Sequence, residues 1–167
     1  MLIRGAVDSD HEVVWAMLEP VIRAGEVFAL PREMDRASAL AYWFAPTHTV
    51  FVLEDGGAIA GSYYIQPNQA GPGSHVANCG YLTAGWAEGR GFGGAMCAHS
   101  LAYACEAGYR AMQFNLVVST NLAAVHLWGK YGFRTLARLP GAFLHPVLGY
   151  VDALVLWRSL ELEESSL

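Results

Sequence analysis

The stretch EGRGFGGA, residues 88–95, places four glycines within six positions at the head of a run of helix formers. Glycine weakens any regular element, so a cluster of this kind answers a geometric demand. One such demand is an anion, phosphate above all, held on backbone N–H groups at a helix N-terminus. A flexible turn would use the same residues. The rest of the chain has to decide between them.

The loop formally contains G-x-G-x-x-G at Gly89, Gly91 and Gly94. A dinucleotide-binding unit would follow it with an acidic residue about 20 positions on, at the end of the next strand. The next strand, AMQFNLVVS, ends in Ser119 instead, and no β-α-β unit opens the chain. A G-K-[ST] phosphate loop is absent from the sequence as well.

Outward from the loop the chain punctuates itself clearly. Upstream, HTVFVLEDGGAIAGSYYIQP predicts two strands about a turn at Asp55-Gly56-Gly57, and HVANCGYLTA a third. Before them, Leu2 to Arg4 suits a short strand. DSDHEVVWAMLEPVIRAG predicts a helix capped by Asp8 or Ser9, interrupted or kinked at Pro20 and stopped by Gly25. REMDRASALAYWF predicts a second helix with Leu40, Trp43 and Phe44 on one side. Downstream, a helix ends at Gly108 and the strand AMQFNLVVS follows. TNLAAVHLWGKYG predicts a helix capped by Thr120 or Asn121, with Ala124, Leu127, Trp128 and Tyr131 on one face. FRTLARL and YVDALVLWRSL complete the set as strands joined by the loop PGAFLHPVLG. This order predicts one α/β domain over residues 1–160, a mixed, mostly antiparallel sheet of about seven strands flanked by about four helices. Residues 161–167 are expected to form a solvated tail.

Bulk properties exclude several functions. At 54% hydrophobic residues in 167, the chain is long and apolar enough for a folded core. A net charge of −5 argues against a nucleic-acid surface, although Arg90 is placed to meet a single phosphate. Cys79, Cys97 and Cys105 form no C-x-x-C pair, and an odd number of reduced thiols suits a cytoplasmic protein. The N-terminal stretch lacks a signal-peptide core, and no apolar run approaches the ~20 residues of a membrane span. The six histidines are scattered without ligand spacing, so no metal is expected.

Two motifs together carry a family resemblance. LTAGWAEGRGFG, residues 82–93, followed by a helix, a strand and NLAAVHLWGKYGF, resembles the GNAT superfamily of acetyl-CoA-dependent N-acetyltransferases. Gly91 and Gly93 occupy the glycine positions of its Q/R-x-x-G-x-G/A loop, and Glu88 stands where the family prefers Gln or Arg. Asn121, Ala124, Leu127, Trp128, Gly132 and Phe133 match its second signature. SYYIQPNQAGPGSHVANCGYLTA, AMQFNLVVSTN and LPGAFLHPVLGYVDALV resemble a narrower branch of bacterial proteins and fungal acetyltransferases that act on proline analogues such as azetidine-2-carboxylate.

The resemblance implies that Gly89, Arg90, Gly91, Phe92, Gly93 and Gly94 form the coenzyme A pyrophosphate loop, with Phe92 packed beneath it. It also implies that backbone at Leu82 and Thr83 holds pantetheine and polarises the acetyl carbonyl, and that Asn121 lies on the cofactor side. Many relatives protonate the departing thiolate with a tyrosine at the position of Trp128. An indole is a donor only, so Trp128 is expected to be a wall of the cofactor site or core. Tyr131 or water remains as the acid. Asn78 and Asn115 fall at positions where the fungal relatives place functional asparagines. As strand carboxamides they either orient substrate or bridge strands.

His75, Glu33 and Asp35 are further candidates for base or substrate contact. The loop 140–149, with His145, is placed to cover the site. The acceptor implied is a small amino-acid-like amine. An acyl-CoA-binding sensor and a peptide or protein N-acetyltransferase are the alternatives. Homodimers are common among relatives.

Overall fold

A computed structural model describes residues 1–161; of the expected tail, residues 162–167 lie outside the described part. Seven strands form one sheet in the order β1-β2-β3-β4-β5-β7-β6. In chain order the elements are β1 (Leu2–Gly5), α1 (His11–Ala24), α2 (Arg36–Trp43), β2 (Thr49–Asp55), β3 (Ala58–Pro67), β4 (Val76–Thr83), α3 (Phe92–Glu106), β5 (Ala111–Val118), α4 (Leu122–Lys130), β6 (Arg134–His145) and β7 (Gly149–Ser159). Every neighbouring pair is antiparallel except β4 with β5. The expected α/β architecture of about seven strands and four helices is the one found.

Side-chain alternation sorts the helices onto two faces. On β3, Ser62 and Tyr64 turn to α2: Ser62 Oγ accepts from Trp43 Nε1 at 3.0 Å, and the hydroxyls of Tyr64 and Tyr42 lie 2.9 Å apart. Tyr63 turns the other way to hydrogen-bond His99 of α3 at 2.6 Å. A Cβ built on Gly61 would meet the tip of Met96 of α3 at 2.8 Å and the Leu82 carbonyl oxygen of β4 at 2.9 Å, so glycine suits this crowded position. Thus α1 and α2 cover one face, and α3 and α4 the other. Val14, Leu18, Ile22, Trp43, Tyr63 and Met96 are among the fully buried side chains of the core between them.

Four local expectations need correction. The first helix is preceded by a 3-10 turn at Asp8–Asp10 and starts at His11. Asp10 stands at its cap position, but its carboxylate is taken by Arg4 at 2.7 and 3.0 Å and by Val7 N–H at 2.8 Å. That helix also runs on through Pro20. The hydrogen bond that proline removes is outweighed by burial of Val14, Met17, Leu18 and Ile22 on either side of it. The second helix begins at Arg36, because Asp35 accepts from Ser38 N–H at 2.7 Å and caps it there. Finally, the expected loop 140–149 is largely strand. β6 runs to His145 and pairs with β7 in register Phe143↔Val151, Leu144↔Tyr150 and His145↔Gly149, after an irregularity at Leu139–Phe143. Pro140 is tolerated because β6 is the sheet edge, where an amide hydrogen is dispensable.

Candidate active site

The parallel pairing of β4 and β5 is confined to Val76↔Ala111 and Ala77↔Met112. Beyond these residues the strands part. β5 loses register with β7 between Phe114 and Val117, so Asn115 and Leu116 bulge at the opening. A cavity of about 380 Å³ fills the gap.

It passes through the sheet. On the α1/α2 face it is lined by Tyr42, Tyr64, Gln66, Asn78 and Asn115, with the segment Val27–Leu30 overhanging. On the α3/α4 face it is closed by Tyr81, Phe114 and Trp128, and Asn121 lies at its edge. Trp128 packs tilted against Tyr81 at 4.8 Å and edge-on to Phe114 at 5.0 Å, ring centroid to centroid.

The carboxamides at the opening are held by their neighbours. Asn78, which lines the cavity, donates through Nδ2 to the Gln113 carbonyl at 2.9 Å and so bridges β4 and β5 where backbone pairing stops. Asn115 donates through Nδ2 to Asn68 Oδ1 at 2.7 Å and accepts at Oδ1 from Gln113 Nε2 at 2.9 Å. Asn68 is itself fixed, since its N–H donates to the Val76 carbonyl at 2.7 Å. Both asparagines therefore bridge elements and line the cavity. Burial drives the hydroxyl pKa of Tyr64 and Tyr81 and the thiol pKa of Cys79 well above their ordinary values, so all three stay protonated. Tyr81 donates to Ser100 Oγ at 2.6 Å, and Ser100 donates to the Cys97 carbonyl at 2.8 Å.

The glycine loop forms the entrance to α3. Gly89 and Gly91 hold φ of 73° and 84°, the left-handed region that glycine adopts freely. The first bond of the helix is Ala95 N–H to the Gly91 carbonyl at 3.1 Å. Among the described residues none accepts a hydrogen bond from the N–H groups of Gly89 through Gly94. Free donors in a row at the positive end of a helix have the chemistry that suits an anion. Gly93 and Gly94 have a second task. A Cβ on either would meet α4 or its cap, Leu127 Cδ2 at 3.2 Å and the Tyr131 hydroxyl at 3.0 Å.

Arg90 does not extend toward these donors. It pairs with Asp55 at 3.1 Å and lies over the rings of Phe92 and Trp86 at 5.0 and 5.6 Å. Phe92 is buried beneath the loop, and Glu88 is exposed.

A sequence profile of the acetyltransferase (GNAT) family matches residues 15–133, more than half of the chain. The chain belongs to this family. A GCN5-related N-acetyltransferase from Kribbella flavida is similar over nearly the whole length: 37% identity, 95% of this chain and 96% of that one covered, TM-score 0.89. The Salmonella typhimurium protein yncA, solved with its cofactor acetyl-CoA, shares the fold at 20% identity and a TM-score of 0.84, with 97% and 95% covered. N-acetyltransferase aca1 of Schizosaccharomyces pombe is 32% identical over 99 residues. That match spans 59% of this chain and 47% of the fungal protein, so the likeness covers about half of the relative's length.

Within this GNAT fold the expected site residues fall into two groups. Asn78, Asn115, Asn121 and Trp128 meet at the cavity. Gly89, Arg90, Gly91, Phe92, Gly93 and Gly94 form the loop at the head of α3. Asn121 is at once a cavity edge and a helix cap, accepting from Ala124 N–H at 3.2 Å.

Leu82 and Thr83 differ from each other. Ala84 N–H donates to Ala60 of β3, while the His75 carbonyl accepts from Arg110 on the β5 side. By alternation Leu82 directs its backbone polar groups at β3, and Cys79, Tyr81 and Thr83 direct theirs into the gap.

Tyr131 stands over Gly94 and does not line the cavity. Neither do His75, Glu33, Asp35 or His145. His75 lines a separate cavity with Tyr103 and Tyr109, Asp35 caps α2, and His145 accepts from Val147 and Leu148 N–H at the β6–β7 turn. Gln66, Asn68, Tyr42 and Val27–Leu30 are the site residues that the sequence pattern did not single out. Among the described residues no group of His, Cys, Asp or Glu is placed to hold a metal, and no described helix is long and apolar enough to cross a membrane.

Proposed function

We propose that the chain transfers acetyl from acetyl-CoA directly to the amine of a small amino-acid-like molecule. The observation that carries this is the row of unpaired N–H groups at Gly89–Gly94, together with the gap where the parallel strands β4 and β5 part. The donor set fits the co-substrate. Successive backbone donors at a helix N-terminus suit a pyrophosphate, and the Cys79, Tyr81 and Thr83 backbone offers a strand edge for an extended pantetheine chain. Acetyl-CoA supplies the thioester that is aminolysed. Thr83, in place of Leu82, has backbone directed at the gap and is the better-placed group to orient and polarise the acetyl carbonyl. Asn78 Oδ1 and Asn115 would align the acceptor nitrogen across the opening. Trp128 would wall the cofactor side. The fungal N-acetyltransferase likeness and the carboxamide lining support an amino-acid-like acceptor.

Calorimetry with acetyl-CoA on wild type and Gly91→Val tests the binding half. A β-branched residue is strained at φ 84°, and affinity should fall by about tenfold or more with the circular dichroism spectrum retained. Unchanged affinity in a folded variant would remove the loop assignment. Thiol release across an amine panel tests the transfer half, since a pure sensor binds without releasing free coenzyme A.

A further inference from the structure

The polar atoms turned on the acceptor side of the gap are carboxamides and phenols: Gln66, Asn78, Asn115, Tyr42 and Tyr64. Carboxamides do not titrate, and burial keeps the Tyr64 phenol protonated. Among the described residues no aspartate, glutamate, histidine, lysine or arginine lines the cavity. None of the charged groups of the packed elements, Arg32 and the exposed His126 of α4 included, is among the lining residues. Glu26 and Glu33, on either side of Val27–Leu30, are exposed. His48 lies against the Tyr64 ring at 4.0 Å with Nδ1 on the Trp43 carbonyl at 2.9 Å. His75 opens onto the other cavity, and Asp152, on β7 beside β5, is held by Arg138 at 2.7 Å.

A pocket so lined does nothing to remove a proton from an ammonium group, and it offers no counter-ion to one. We propose, resting on the transferase function above, that the acceptor is a weakly basic amine that arrives as its free base. This means an amine next to an electron-withdrawing group, as in an α-amino amide, and excludes an alkylamine of lysine type.

The chemistry closes without an enzyme base on that condition. The nitrogen lone pair attacks the acetyl carbonyl carbon and a C–N bond forms. The C–S bond breaks and sulfur leaves with its electron pair. One N–H proton passes to the thiolate, through water or along the carboxamide edge. Neutral amine plus acetyl-CoA gives amide plus thiol with no proton released. An ammonium acceptor would have to discard one more proton, and its reactive fraction is set by its own pKa. At pH 7 a lysine-like amine, pKa about 10.4, is neutral in only about one molecule in 2,500, whereas an α-amino group near 7.7–8.0 is neutral in roughly one in ten.

The test is the pH profile of kcat/KM from pH 5.5 to 9.5 for three acceptors of similar size: alaninamide, 2,2,2-trifluoroethylamine and n-propylamine. The inflection should follow the acceptor's own pKa for trifluoroethylamine and alaninamide, n-propylamine should rise at unit slope across the whole range, and no inflection should be common to all three. Equilibrium binding of alaninamide to the coenzyme A complex should follow the same ionisation. An inflection shared by all three acceptors would reveal an enzyme base and overturn the proposal. So would n-propylamine being preferred over alaninamide at pH 7. If acetyl-CoA binds and no acceptor of either class releases thiol, the transferase function itself fails and the proposal goes with it.

Discussion

Asn115 is exposed at the bulge, yet both ends of its carboxamide are engaged, one by Gln113 and one by Asn68. A side chain pinned in this way presents its remaining N–H in a fixed direction. Asn115→Ala should therefore fold and bind acetyl-CoA but lose kcat/KM by about tenfold or more, the equivalent of ~1.4 kcal/mol of barrier. Asn78→Ala should place a larger share of its loss in KM if its free oxygen mainly holds the acceptor. Circular dichroism, calorimetry and kinetics on the same preparations decide this, and near-normal kcat/KM in both variants would remove the asparagines from the mechanism. Tyr131→Phe should retain turnover, because its hydroxyl sits over Gly94 at the α3–α4 contact. A fall of about 100-fold or more would instead assign it the proton transfer to sulfur.

At the scale of elements, one buried hydroxyl joins a strand, its neighbour and a helix. Ser62 accepts from Trp43 Nε1 and donates to the Phe51 carbonyl at 2.9 Å. Ser62→Ala would leave a fully buried indole N–H without a partner. Chemical denaturation should show a loss of about 1–3 kcal/mol, smaller when Trp43 is phenylalanine in the background. Elements were legible where the pattern is local. The Gly56-Gly57 turn, the cap at Asn121 and the stops at Gly25, Gly108 and Gly132 all announce themselves. Pro140 and Gly141 misled, because a sheet edge accepts residues that an interior strand rejects. The asparagines stood out as amides within apolar strands. The Val27–Leu30 overhang and Asn68 carried no local mark, since the path of the chain alone brings them to the opening. The opening itself is a matter of register between β4 and β5, to which local periodicity is blind.

For the whole molecule, Arg4 ties three parts of the chain. It binds Asp10 before α1 and Glu54 at the end of β2 from its own place on β1. The guanidinium holds the Asp10 carboxyl below the ordinary carboxylate range despite burial that opposes it. A group whose folded pKa is depressed stabilises the fold above its unfolded value, near ~3.9. That stabilisation is lost as pH falls through the folded value. Asp10→Asn should thus be less stable than wild type at pH 7, with the two converging in acid below about pH 4, as thermal unfolding across that range would show.

The gap between β4 and β5 is lined by side chains from both sides of the sheet. The glycine loop heads α3 on one side, and the carboxamides line the gap on the side of α1 and α2. Two reactants approaching from opposite sides need not take turns, so neither product has to leave before the second reactant enters. Initial-velocity lines at varied acetyl-CoA and amine should intersect. Parallel lines would demand that the acyl group wait on a side chain. The cysteine at the opening, Cys79, is poorly made for that, its thiol kept protonated by burial and turned to Met112 Sδ at 3.8 Å. On that reading, whether both reactants can be bound at once depends on the path of two strands before any residue acts.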